Sequence, residues 1–123
     1  NIDGLEKLTN LTRLNFICEN IQNIDVISNL TQITELSLHS CLKLKNLDAL
    51  STLTKLIQLE IVFWHEIENI HGFKNLISLT ELSLSFCGEI RNLDALENLT
   101  NLTYLNLSYC YNLQNIDHLK NLT

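Results

Sequence analysis

Residues 76–107 read LISLTELSLSFCGEIRNLDALENLTNLTYLNL, and the apolar pattern of residues 76–84 recurs at residues 99–107. Each half contains the phrase L-x-x-L-x-L, which ends in an alternation of apolar and polar positions. The phrase occurs five times in the chain, as Leu11/Leu14/Phe16, Ile33/Leu36/Leu38, Leu56/Leu59/Ile61, Leu79/Leu82/Leu84 and Leu102/Leu105/Leu107. Self-similarity at a fixed period indicates a fold made of stacked copies of one unit.

The segments between these phrases repeat as well. The leucines that open successive repeats are evenly spaced except for the first interval, which is shorter by one residue: Leu8, Leu30, Leu53, Leu76, Leu99 and Leu122. Each phrase leads into a turn position, occupied by Glu19, Cys41, Trp64, Cys87 and Cys110. The first repeat is shortened in this turn. This alignment places Cys18 with the residues that directly follow the other strand phrases, namely Ser40, Phe63, Phe86 and Tyr109.

The whole chain resembles the leucine-rich-repeat family, whose consensus is L-x-x-L-x-L-x-x-N/C-x-L. Residues 30–34 are similar to the internalin-type repeats of bacteria, and the Cys-x-x-Leu turn at residues 41–44 is similar to the repeats of plant intracellular immune receptors. The resemblance implies an α/β fold, a right-handed solenoid with a curved parallel β-sheet on its concave face and short 3₁₀ or helical turns on its convex face. Residues 1–123 then form one domain, with an N-terminal half repeat and five strand-bearing repeats of about 22–23 residues each.

The alternation in each strand phrase leads to the same stacked arrangement. Two apolar side chains lie on one side of a strand and the residue between them lies on the other. Because one turn cannot bury its own apolar residues, neighbouring turns are expected to stack at about 4.8 Å. We predict that Asp48 and Asp94 cap short helical turns and that the cysteines point inwards. The larger Trp64 is expected to make the turn at residues 63–67 irregular.

No capping repeat is visible at either end of the sequence, and both ends fall within a repeat. An apolar interior left open at an end promotes association. We therefore expect the segment to be part of a longer array, with further repeats or another chain continuing the stack, or with copies self-associating through the ends.

The charge of the chain favours a protein as its partner. Its formal net charge is −6 and its pI is about 5.0, which argues against nucleic acid, since a nucleic acid rewards clustered Lys and Arg. No apolar run approaches the roughly 18 residues that a membrane span requires, so no membrane insertion is predicted. The four cysteines are predicted to be free buried thiols, which favours a reducing compartment; a bacterial surface stays open as an alternative.

The motifs of nucleophilic and phosphate-handling enzymes do not occur in the sequence, which predicts a non-catalytic protein without a cofactor. The segment from His65 to His71 superficially resembles a zinc-binding helix. Its two histidines are six residues apart rather than four, so they do not share a helix face. We therefore predict no metal site.

The outward strand residues are expected to form columns along the concave face. The predicted partner-binding residues there are Phe63, Phe86, Tyr104, Tyr109, Glu35, Glu60, Glu81 and His39. Aromatic residues of this kind anchor interfaces, and the glutamates would steer a basic or polar partner. In the alternative interpretation, Phe63 and Phe86 fold over the turn and pack with each other or with Trp64.

Two functions are compatible with this sequence. The first is a non-catalytic protein–protein recognition module that uses the concave face. The second is a structural spacer or scaffold component that associates through the repeat ends.

Overall fold

The computed structural model describes residues 2–67, 69–114 and 116. In this part of the chain, short strands alternate with short 3₁₀ helices. The strands are β1 (Arg13–Ile17), β2 (Glu35–His39), β3 (Gln58–Val62), β4 (Glu81–Ser85) and β5 (Tyr104–Asn106). The 3₁₀ helices are Leu5–Lys7, Asp25–Asn29, Asp48–Thr52, His71–Phe73 and Asp94–Leu96. The end of the last predicted repeat, including Leu122, lies outside the described residues.

The five strands form one parallel sheet in the order of the sequence. Its register pairs Leu36 with Leu59, Leu59 with Leu82 and Leu82 with Leu105, so equivalent residues of neighbouring turns lie side by side. Leu36, Leu59 and Leu82 are buried. The predicted α/β solenoid with a parallel sheet and short 3₁₀ turns is therefore confirmed.

Threonines at the start of the strands connect neighbouring turns. The carbonyl of Thr12 accepts hydrogen bonds from the backbone N–H groups of both Thr34 and Glu35. The Thr34 hydroxyl donates to the same carbonyl at 3.2 Å, and the Thr103 hydroxyl donates to the Thr80 carbonyl at 3.2 Å. Because each bond joins residues in different turns, these threonines help to hold the turns in register.

The prediction that Asp48 and Asp94 cap the helical turns was wrong. Both aspartates are the first residues of their 3₁₀ helices, and no side chain forms a hydrogen bond from the capping position before them. The Asn46 side-chain oxygen instead accepts the backbone N–H of Asp48 at 3.3 Å, and Asn92 does the same for Asp94. The asparagine two residues earlier folds the chain into an Asx turn, so the aspartate comes too late to act as the cap.

All four cysteines are free and buried, as predicted. The alignment of Cys18 with the residues that follow the other strands holds for the backbone but not for the side chain. Its backbone N–H bonds the His39 carbonyl, as Ser40 bonds Val62 in the next turn, but its side chain is fully buried. The first repeat therefore lacks the residue that separates the strand from the buried position in the other repeats, and Glu19 lies outside the buried column.

Trp64 occupies the cysteine position of the third repeat and is fully buried. Its indole N–H donates a hydrogen bond to the carbonyl of Leu44 in the preceding turn. In the other repeats, the two residues after the buried cysteine form a hydrogen-bonded turn. After Trp64 the chain has only a bend, at Glu66. The irregularity expected from the bulk of Trp64 thus begins after the tryptophan and leaves β3 undisturbed.

Candidate recognition surface

The outward residues of the five strands form columns across the concave face. The sheet register places Glu35, Gln58, Glu81 and Tyr104 side by side in one column. Glu60 lies in the next column, and the columns together line a groove of about 550 Å³. The register therefore produces the columns of outward residues that the sequence predicted.

β2, β3 and β4 are each followed directly by a residue with a positive φ angle. Tyr109 has the same conformation at the equivalent position of the last described turn. The φ angles of Ser40, Phe63, Phe86 and Tyr109 are 56°, 59°, 57° and 62°. This left-handed conformation costs a non-glycine residue roughly 1–2 kcal/mol. The residue that follows each of them is buried, so the left-handed residue keeps its own side chain outside while the chain turns inwards.

Phe63, Phe86 and Tyr109 form a stack that we call the aromatic ladder. The ring centroids of Phe63 and Phe86 are 4.6 Å apart, and those of Phe86 and Tyr109 are 4.2 Å apart with planes only 9° from parallel. Phe63 is 42% exposed and Tyr109 is 52% exposed. Tyr111 contacts Tyr109 edge-on. The rings therefore pack against one another, as the alternative interpretation expected. They also remain at the surface, as expected for partner-binding residues.

The stacking of the ladder leaves its ring edges uncovered. Stacking covers both faces of Phe86 and one face each of Phe63 and Tyr109. The edge of an aromatic ring carries partial positive charge and its face partial negative charge. Apolar groups and the faces of other rings fit such an edge better than cations do.

The three predicted steering glutamates differ in their surroundings. The Arg13 guanidinium lies 2.7 Å from a carboxylate oxygen of Glu35, which reduces the negative charge at that end of the groove. Glu60 accepts a hydrogen bond from the Ser37 hydroxyl at 2.8 Å. The carboxylate of Glu81 is exposed and forms no hydrogen bond or ion pair with the described residues. The negative character of the face is therefore concentrated at Glu60 and Glu81.

Ser37, His39 and Glu60 lie together on the concave face, and this combination of residue types also occurs in hydrolases. Here the same histidine nitrogen, Nε2, faces both the Ser37 hydroxyl at 2.8 Å and the Glu60 carboxylate at 3.7 Å. A catalytic triad needs the carboxylate on the opposite ring nitrogen, so that the histidine can take the serine proton. The Ser37 hydroxyl instead donates to Glu60. The cluster therefore orients Glu60 and does not activate a nucleophile.

Small polar side chains form the floor of the groove beside the ladder. The Asn106 amide donates to the hydroxyls of Ser83 and Ser85 at 3.2 and 3.1 Å. Tyr104, the fourth predicted anchor, is 54% exposed on the far side of this floor and is not part of the ladder. The groove therefore has a polar floor and a wall at Tyr104 and Glu81, and the ladder begins at the residue after Ser85.

Two other features of the described residues bear on function. No group of three or more His, Cys, Asp or Glu side chains within residues 2–67, 69–114 and 116 is arranged to hold a metal ion. In the same part of the chain, no helix has the length and hydrophobicity needed to cross a bilayer.

Burial raises the pKa of the Cys87 thiol to about 12, from an ordinary value of 9.0. Between pH 9 and about pH 12, the thiol is ionised in the unfolded chain but stays protonated in the folded chain. Its contribution to stability is thus fully present below pH 9 and is lost as the pH rises towards 12. We expect the free energy of unfolding to fall less steeply with pH in Cys87→Ala than in the wild type, by up to about 1.4 kcal/mol per pH unit. Urea unfolding at pH 8 and pH 10 measures this, and equal slopes would contradict it.

Comparisons with known proteins agree with the repeat architecture. A family model described as "Leucine Rich repeats (2 copies)" matches residues 77–121. No curated protein matches the chain. The internalin inlF of Listeria monocytogenes superposes with a TM-score of 0.87 at 24% identity, over 99% of this chain and 35% of the internalin. The internalin inlC2 of the same species superposes with a TM-score of 0.82 at 31% identity, over 98% of this chain and 52% of the internalin.

A more distant similarity is to TLR13, whose structure was solved in a complex with ssRNA13. The TM-score is 0.62 at 22% identity, over 84% of this chain and 16% of TLR13. The chain thus spans about a third to a half of the two internalins and a smaller part of TLR13. Together with the five in-register turns, these matches show that the chain has the leucine-rich-repeat fold.

Proposed function

We propose that this chain is a non-catalytic recognition module that binds a protein partner at its concave face. Proteins with leucine-rich repeats generally mediate protein–protein interactions. The observation that carries the proposal is the aromatic ladder, which keeps three stacked rings at the surface, with Phe63 and Tyr109 exposed and Phe86 half-buried between them. Tyr104 is the fourth anchor, on the opposite wall.

The ladder has the physical properties of an interface anchor. Aromatic side chains contribute large contact areas and are enriched among the residues that dominate binding energy. Phe86 is held between two neighbouring rings, so its side chain loses little further freedom when a partner covers it. A rigid, partly exposed apolar surface of this kind favours association.

The charges on the face support a partner with basic or polar character. Glu60 and Glu81 carry the negative potential, and His39 and Ser37 help to orient Glu60. Exposed charges steer association and are screened by salt. The net charge of −6 makes nucleic acid a poor partner for this chain, although the distant relative TLR13 was crystallised with ssRNA13.

Replacing Phe86 and Tyr109 together by Ala is expected to weaken partner binding at least tenfold, because both anchors are lost. The melting temperature should change little, since the rings are not in the core. Binders selected from a peptide display library against the wild-type chain provide ligands for this measurement. Their affinities for wild type and variant are compared by calorimetry, and unfolding is followed by circular dichroism.

A matched control removes exposed apolar side chains elsewhere. Ile57 and Ile77 are 42% and 58% exposed, and both lie in the chain segments that precede strands. Replacing both by Ala should leave the affinities unchanged. If the ladder variant bound normally but lost several degrees of melting temperature, the rings would belong to the core and the proposal would fail.

A second candidate function is a structural one, in which the chain is a spacer or scaffold component that associates through the repeat ends. The observation in its favour is the open side of β1. Leu14 and Phe16 are only half-buried, although their partners in β2, Leu36 and Leu38, are buried. Mass measurement by sedimentation at several concentrations separates the two candidates. Discrete self-association favours the structural function, and a monomer favours recognition at the concave face.

A further inference from the structure

We infer that the partner presents an extended segment that crosses the concave face along β4, with an apolar side chain on the aromatic ladder and a basic side chain at Glu81. The inference rests on the proposed function and deepens it by naming the chemistry of the segment. Three observations carry it: the ring edges of the ladder, the unequal charges of the glutamates, and the length and floor of the groove.

The ladder itself selects an apolar or aromatic group. A cation is attracted to the face of an aromatic ring, and the faces of Phe86 are covered by Phe63 and Tyr109. The exposed ring edges suit a hydrocarbon side chain or the face of another ring. A basic side chain of the partner is therefore better placed elsewhere in the groove.

Glu81 is the carboxylate best placed to receive that basic side chain. Glu35 already pairs with Arg13, and Glu60 already accepts a hydrogen bond from Ser37. A cation at either would compete with an existing partner. The carboxylate of Glu81 has no such partner among the described residues, so its full charge is offered to the groove.

The neighbours of Glu81 favour a long basic side chain. Gln58 and Tyr104 flank it in the sheet register, and neither carries a charge that would compete. Tyr104 is 54% exposed, and its ring can pack against the methylene groups of an arginine or lysine. The guanidinium or ammonium group then lies at the carboxylate while its stem covers apolar surface.

The length of β4 sets the spacing within the segment. Glu81 and Ser85 are the two ends of the strand, and Phe86 of the ladder follows directly. At about 3.3 Å per residue, the strand from Glu81 to Ser85 is about 13 Å long, and the ladder begins at the next residue. An extended segment spans that distance with side chains four residues apart on one face. The small Ser83 and Ser85 between them allow the backbone of the segment to approach closely.

The probes are two acetylated and amidated pentapeptides, Phe-Gly-Ser-Gly-Arg and its reverse sequence, each with a control in which citrulline replaces Arg. Citrulline keeps the shape of arginine and lacks its charge. Amide chemical shifts of the full chain are followed during titration. We expect one order of the arginine peptide to bind roughly threefold to fivefold more tightly than its citrulline control, as an exposed ion pair allows.

Two single substitutions then test the site. Glu81→Gln should abolish the preference for arginine over citrulline. Glu89→Gln, which removes an exposed carboxylate in the turn after β4, should preserve it. The inference is overturned if arginine and citrulline peptides bind equally to the wild type, if Glu89→Gln matters as much as Glu81→Gln, or if no peptide binds saturably.

The variant Phe86→Ala with Tyr109→Ala separates this inference from the proposed function. If the display-selected binders and the pentapeptides are sensitive to the ladder but insensitive to Glu81, only the basic contact is wrong. If selected binders ignore the ladder, the proposed function fails as well.

Discussion

Trp64→Ala is expected to lower the free energy of unfolding by about 3–5 kcal/mol. The indole fills a position that cysteine occupies in other repeats, and it is fully buried. Its removal leaves a cavity inside the stack and takes the hydrogen-bond donor away from the Leu44 carbonyl. Urea unfolding followed by circular dichroism measures the loss. Since the stability of a domain is about 5–15 kcal/mol, this loss is a large fraction of the total.

Cys41→Ala is the matched control, because it truncates a small side chain at the same position of the preceding repeat. Its expected loss is about 1 kcal/mol. Trp64→Phe should fall between the two, since it keeps most of the volume but not the hydrogen bond. Equal losses for Trp64→Ala and Cys41→Ala would show that the indole is not packed in the interior.

Gly72→Ala is expected to destabilise the chain by about 2–3 kcal/mol, although it adds only one methyl group. A Cβ atom at Gly72 would lie 2.5 Å from the Leu47 carbonyl oxygen and 3.0 Å from its carbon. These are backbone atoms, so they cannot move aside without displacing the neighbouring turn. Thermal and urea unfolding of the variant measure the effect.

Gly88→Ala serves as the comparison for Gly72→Ala, since no atom lies within 4 Å of the Cβ position at Gly88. Its stability should remain within about 0.5 kcal/mol of the wild type. If both alanine variants were equally stable, the close packing of the third turn on the second would be contradicted.

The sequence was sufficient to predict the fold because a single period governs the whole chain. Residues such as Leu59 and Leu82 are one full period apart, and stacking in register makes them neighbours. The same period predicted which residues share a column on the concave face. Local propensity alone would not have done this, since the strands have only three to five residues each.

The site was less predictable, because its details depend on contacts between side chains. The period places Arg13 beside Glu35, but the ion pair that changes the charge of the face depends on the side-chain conformations, which the period does not determine. The exposure of Phe86 depends on a left-handed backbone that follows the strand, which the residue type itself disfavours. Both features arise from tertiary structure.

Two smaller errors have the same origin. A one-residue deletion in the first turn could have removed either the exposed or the buried position, and the structure shows that Cys18 keeps the buried one. The importance of Gly72 was missed because the equivalent position varies among the repeats, with Val26, Ala49 and Ala95, so a single glycine there matches no motif. Its signal was the neighbouring Phe73, which is larger than the leucines Leu50 and Leu96 at the same position.

Contacts between aromatic rings, measured by nuclear Overhauser spectroscopy in solution, test the central claim most directly. The claim is that turns stacked in register hold Phe63, Phe86 and Tyr109 together at the surface while Trp64 lies inside. We expect ring-to-ring cross-peaks from Phe63 to Phe86 and from Phe86 to Tyr109, and cross-peaks from the Trp64 indole to the Leu44 turn. Cross-peaks from Trp64 to Phe86, without those along the ladder, would contradict the account.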